Sequence, residues 1–176
     1  MKTFTQTSTF TVKNFKDVTT QQRELLLEAQ KVRKNAQSPY SKFCVGVSVL
    51  TQTGNIYSGC NVERCSYSQT THAEQNAIDT MVAQEGSVKI EKVAIVGGMV
   101  TEDPQFVDMV EEIVAYNYRS ATFPCGHCLQ IIWENCYADG EVEIISLTAS
   151  GRILVTTMQV LYPVSFGPET LGISYE

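Results

Sequence analysis

The chain has 176 residues, 43% of them apolar and 18% charged, which suits a water-soluble globular protein with one sizeable core. Nineteen acidic against 13 basic residues leave a net charge of −6, which argues against an electrostatic footprint for nucleic acid. No run approaches membrane-spanning length, and the opening "MKTFTQTSTFTVKNFKD" lacks the apolar centre of a signal peptide, so a cytoplasmic protein is expected, its six cysteines free, metal-bound or catalytic rather than paired.

Residues 1–16 are rich in threonine and read as a loose arm or an edge strand, ahead of one domain over 17–176. Asp17 to Thr20 offers several helix N-caps, and Leu25, Leu26, Ala29 and Val32 then form a helical stripe. "SPYSK" ends that helix, because the residue before Pro39 is pushed out of helical geometry. "FCVGVSVLTQTGNIYSGCNVE" reads as two strands around a turn near Thr53–Asn55. "THAEQNAIDTMVAQEG" is expected to be a helix ending at Gly86, and "IEKVAIVGG" a buried strand. "PQFVDMVEEIVAYNY" has Pro104 at its start and Phe106, Val107, Val110, Ile113 and Val114 on one side, which predicts a further helix. "CGHCLQIIWENCYADG" predicts another, stopped at Gly140, followed by strands in "EVEIISLT" and "RILVTTM". Alternating strands and helices point to an α/β domain: a three-layer α/β/α arrangement around a mixed sheet of roughly five strands.

The chemistry concentrates at the helix starts. Cys125 and Cys128 share one helical face in a first turn, where the helix dipole favours thiolate over thiol. Taken alone, a Cys-x-x-Cys pair can be a packing accident, a redox pair or half of a zinc site. A redox pair is expected after an early strand, and a structural zinc ribbon needs a second such pair, which is missing. His72 opens another helix. If the two helix starts converge, His72, Cys125 and Cys128 give a tetrahedral zinc three protein ligands and one open position, the mark of a catalytic site. Glu74, two residues on, would face that position as a proton carrier. Cys136 lies too far along its helix to join them, and Cys44, Cys60, Cys65 and Cys136 read as small core residues.

His72-Ala73-Glu74 with Pro124-Cys125-Gly126-His127-Cys128 is the H-x-E…P-C-x-x-C pattern of zinc deaminases. Flanking motifs narrow the resemblance. "SPYSKFCVGVSVL", the later Asn61-Val62-Glu63, Tyr67 and "LYPVSFGPETL" resemble the cytidine deaminases that act on free nucleosides, from about Leu26 to Leu171. That resemblance implies one zinc per subunit on His72, Cys125 and Cys128, and hydrolysis of cytidine and 2′-deoxycytidine to uridine and 2′-deoxyuridine in pyrimidine salvage. It implies Glu74 as proton shuttle, the Ala73 N–H on the base carbonyl, Asn61 and Glu63 on the ribose, and Phe43 as a pocket wall. Phe166, with Tyr67 nearby, would reach a neighbouring subunit's pocket, which implies a homo-oligomer, a tetramer in preference to a dimer.

Two departures from the family pattern stand out. Many short members use three cysteines and an arginine after the glutamate, whereas this chain has His72 and Gln75. Fewer thiolates need less positive compensation, so a neutral Gln75 hydrogen-bonded to a ligand sulfur is expected. The segment between His72 and Cys125 is also longer than in the family, with an insert near 101–120. The insert keeps a modified cytosine nucleoside, or a nucleoside antibiotic such as blasticidin S, as the alternative substrate. Deamination of polynucleotides is disfavoured by the acidic charge, and an inactive zinc-stabilised interaction domain by the presence of Glu74.

Overall fold

A computed structural model describes residues 2–3, 5, 7–108 and 121–174. Its centre is a mixed six-stranded sheet in the order β1-β6-β5-β4-β2-β3. The strands are β1 (Thr11–Lys13), β2 (Phe43–Thr51), β3 (Ile56–Cys60), β4 (Ile90–Met99), β5 (Glu143–Leu147) and β6 (Ile153–Thr157). β4 and β5 run parallel, with Lys92 opposite Glu143 and ion-paired to it at 2.7 Å; every other ladder is antiparallel. The sequence suggests roughly five strands; the sixth is β1, which adds the expected arm to the sheet as an edge through Thr11–Val155 pairing.

Strand alternation divides the core in two. On one face α1 (Thr20–Arg33) buries Leu25, Leu26 and Ala29 against Leu50, Ala94, Val96, Ile145 and Leu147. On the other, α2 (Ala73–Glu85) and α3 (Gly126–Asn135) bury Ala77, Ile78, Met81, Ile132 and Trp133 against Val47, Val49, Val93, Ile95 and Ile144. The short α4 (Met158–Leu161) packs beside them through Met158. The result is the expected α/β/α layering.

Local chemistry sets the boundaries. Thr19 and Gln22 form a reciprocal capping box at the start of α1. α2 stops at Gly86, whose φ of 85° suits glycine. α3 ends at Cys136, earlier than its sequence suggests, because Tyr137 and Ala138 adopt left-handed φ of 56° and 58°. No helix begins at Pro104. Residues 102–108 are irregular and dock by backbone: Pro104 O accepts from Gln30 Nε2 at 2.5 Å, and Val107 N donates to Gly151 O at 3.0 Å. The Phe106 ring stacks on Phe15 at 4.3 Å. The rest of that expected helix, including Val110, Ile113 and Val114, lies outside the described residues. Among the described residues no helix is long and apolar enough to cross a membrane.

α1 reaches β2 only because position 46 is glycine. A Cβ at Gly46 would fall 2.0 Å from Ala29 O and 2.6 Å from Arg33 N. Gly46→Ala is therefore expected to destabilise the fold by about 3 kcal/mol, at the upper end of overpacking costs because the obstruction is helix backbone. Urea unfolding of the purified variant checks this.

Candidate metal centre and active-site pocket

α2 and α3 start side by side on one face of the sheet, and their N-cap residues are His72 and Cys125. Neither side chain caps its own helix. Both instead turn toward Cys128, which is fully buried in the first turn of α3. His72 Nδ1 lies 3.2 Å from Cys128 Sγ and 3.5 Å from Cys125 Sγ, and the two sulfurs are 3.7 Å apart. The three donor atoms all fall within 4.8 Å of one another.

The donor set fits zinc. Tetrahedral bonds of about 2.3 Å to sulfur and about 2.0 Å to nitrogen separate two sulfurs by about 3.8 Å and sulfur from nitrogen by about 3.5 Å. The observed separations are close to those values. Two thiols and an imidazole are the soft-to-borderline ligands that zinc accepts. Burial, with Glu74 and Cys125 next, pushes the Cys128 thiol far above its ordinary range. A dication among these groups reverses that balance and favours the thiolate.

Glu74, in the first turn of α2, is only 6% exposed. Burial raises its carboxyl above the ordinary range, opposed by its own backbone N–H, the Cys128 thiol and the imidazoles of His72 and His127. It opens onto a pocket of about 280 Å³ lined by Phe43, Val45, Asn61, Glu63, Thr70, His72, Ala73, Glu74, Thr122, Phe123 and Cys125. Ala73 sits in the helix's first turn, where backbone N–H groups lack intrahelical acceptors.

Asn61, also in the pocket lining, locks the start of β2. Its Nδ2 donates to Phe43 O at 2.9 Å, and its Oδ1 accepts from Val45 N at 2.8 Å. Glu63 Oε2 accepts from the backbone N–H groups of Tyr40 and Ser41 at 2.9 and 3.2 Å. The Glu63 carboxyl stays below its usual range: desolvation pushes it up, but hydrogen bonds from Ser41 and Tyr40 outweigh that.

The pocket thus gathers His72, Ala73, Glu74, Cys125, Phe43, Asn61 and Glu63, with Cys128 directly behind. Tyr67 and Phe166 stand outside it. Tyr67 is 76% exposed and packs its ring 5.9 Å from that of Tyr40. Phe166 is 53% exposed, its carbonyl held by Gln130 Nε2 of α3 at 3.0 Å. Gln75 is half-buried and makes no hydrogen bond to either cysteine. Val45, Thr70, Thr122 and Phe123 complete the lining, although none of them carries a chemistry that marks it in the sequence. Thr122 is seated by two features: Ser146 Oγ donates to its carbonyl at 2.7 Å, and Gly97 leaves room where a Cβ would fall 2.3 Å from Thr122 Oγ1. The paired glycines inside β4 were the available signal for such a close approach.

Known proteins give the same picture. The family model described as the cytidine and deoxycytidylate deaminase zinc-binding region matches residues 19–140. The cytidine deaminase of Sporosarcina psychrophila is 34% identical over 153 residues, 87% of this chain and 96% of that protein. The cytidine deaminase of Halalkalibacterium halodurans is 31% identical over 148 residues, 84% of this chain and 96% of its own. The crystal structure of cytidine deaminase from Burkholderia pseudomallei aligns with a TM-score of 0.63 at 27% identity, over 85% of this chain and 100% of that one. With the donor cluster falling inside the matched region, the chain belongs to the cytidine and deoxycytidylate deaminase zinc-binding family.

Proposed function

We propose that the chain hydrolyses cytidine and 2′-deoxycytidine to uridine and 2′-deoxyuridine, releasing ammonia, as a cytoplasmic enzyme of pyrimidine salvage. One observation carries the reading: a single pocket is lined by a buried carboxylate, by residues of a zinc-type donor set and by an amide–carboxylate pair. That combination of groups suits a polar base attached to a sugar. The names of the relatives, all cytidine deaminases over most of this chain, favour cytidine over a bulkier analogue.

His72, Cys125 and Cys128 hold one zinc per chain. When bound, zinc supplies a water acidic enough to act as a nucleophile near neutral pH. Glu74 takes a proton from the attacking water and delivers it to ring N3 as the water oxygen adds to C4. Glu74 then carries the second proton to the departing amine, so that one water enters and one ammonia leaves. Its burial raises the carboxyl above the ordinary range, the direction that suits a carboxylate that must hold a proton as well as accept one. The Ala73 N–H, at the positive end of α2, holds the C2 carbonyl. Asn61 has an unshared amide hydrogen and Glu63 an unshared oxygen, the donor and acceptor that a ribose hydroxyl needs. Phe43 and Phe123 flank the base and exclude water. Phe166 and Tyr67, exposed and outside the pocket, serve a neighbouring copy in a homotetramer.

Cytidine and deoxycytidine are both expected to lose their amino-pyrimidine absorbance on mixing with the protein; no change in zinc-loaded protein would refute the reaction. Glu74→Gln is expected to lower kcat at least ~10³-fold with zinc retained, as removal of a general acid–base does. Residual turnover above a few per cent would refute its role. Cys128→Ser is expected to bind no zinc by elemental analysis, and its Tm to be insensitive to a chelator that lowers that of the wild type.

A further inference from the structure

Arg33 is the last residue of α1, yet its side chain is 4% exposed. Among the described residues it forms no ion pair. A buried guanidinium without a carboxylate is costly unless its donors are satisfied. Here backbone carbonyls do this. Nε donates to Cys44 O at 3.0 Å, Nη1 to Glu102 O at 3.1 Å and Nη2 to Met99 O at 2.8 Å. The C-terminal dipole of α1 adds to the compensation.

Cys44 belongs to the strand that lines the pocket, and Glu102 lines an adjoining cavity of about 500 Å³ that shares Phe43 and Thr122 with it. Cys44 lies between Phe43 and Val45, both pocket residues. Phe43 O and Val45 N are held by Asn61, so the peptide between them is gripped from one side by Asn61 and from the other by Arg33. Met99 faces Phe43 in the β2–β4 ladder. Met99 and Glu102 close a turn through Glu102 N to Met99 O at 2.9 Å and Met99 N to Glu102 Oε2 at 2.8 Å. Gly98 gives the guanidinium room, since a Cβ there would lie 3.0 Å from Nη2.

We propose that Arg33 is a positioning residue for substrate binding: it ties the start of β2 to the chain leaving β4 and thereby fixes Phe43 as the wall of the nucleoside pocket. The proposal rests on the deaminase reading for its kinetic consequence, and on the three carbonyl bonds for its structural one. Lysine keeps the charge but cannot present three fixed donors in one plane.

Arg33→Lys is expected to raise KM for cytidine about tenfold while kcat stays within about threefold, the pattern of lost ground-state binding. Zinc content stays unchanged. The Arg33→Lys/Phe43→Ala double variant is expected to have a KM no higher than that of Phe43→Ala alone, because Arg33 acts through that wall. Hydrogen exchange of Arg33→Lys is expected to quicken at Met99 and Glu102 with the β4 and β5 core amides unaltered. Independent, multiplicative effects on KM, or a fall in Tm with exchange raised uniformly and KM unchanged, would overturn the proposal in favour of a general structural staple. Failure of the wild type to consume cytidine would refute the deaminase reading instead; the exchange pattern would still decide whether Arg33 holds this segment locally.

Discussion

Two helices, α2 and α3, have to begin at the same place, and each gives up its own cap to do so. His72 and Cys125 occupy N-cap positions that in most helices carry a side chain bonded back to the first amides. Turning them toward Cys128 forgoes about 1 kcal/mol per helix. Metal binding is linked to folding, so a zinc ion held by these three donors would offset that loss. The sheet makes the convergence possible. α2 and α3 lie on the same face, and the shared core of Ala77, Ile78, Ile132 and Trp133 sets their separation.

The same arrangement serves the buried Glu74. Two helix N-termini, and a dication where one is bound, would set positive potential against the burial that raises the Glu74 carboxyl. Opposing influences of this kind suit the role proposed for Glu74, because a group held firmly in either state cannot cycle. Asn61 and Glu63, also in the pocket lining, satisfy backbone groups at the approach to β2, which fixes the orientation of both side chains in advance of any ligand.

Local signals recovered most of the framework. The capping box at Thr19 and Gln22, the glycine after α2 and the apolar runs of β2 and β4 act over a few residues and are visible in the sequence. The zinc-type cluster was also legible, because His72, Glu74, Cys125 and Cys128 carry chemistry with few other uses at helix starts. What was lost depends on distant partners. The run after Pro104 has a helical apolar pattern, but Gln30 and Gly151 engage its backbone as far as Val107. Thr122 and Phe123 look ordinary until Ser146 and Gly97 seat Thr122 in the pocket wall. Asn61 looked like a pure ligand residue, yet its amide also braces Phe43 and Val45.

The edge that β1 forms has a bearing on how the protein is made. Thr156 Oγ1 donates to Thr9 O across 147 residues, and the β1–β6 ladder lies beside it. During synthesis β1 emerges early and must wait for its partner, and β6 completes the sheet only after both metal-binding helices have left the ribosome. Until then the β5 or β6 edge presents unpaired amides to solvent, an opportunity for strand exchange between nascent chains. This ladder joins the first and last strands of the sheet in chain order.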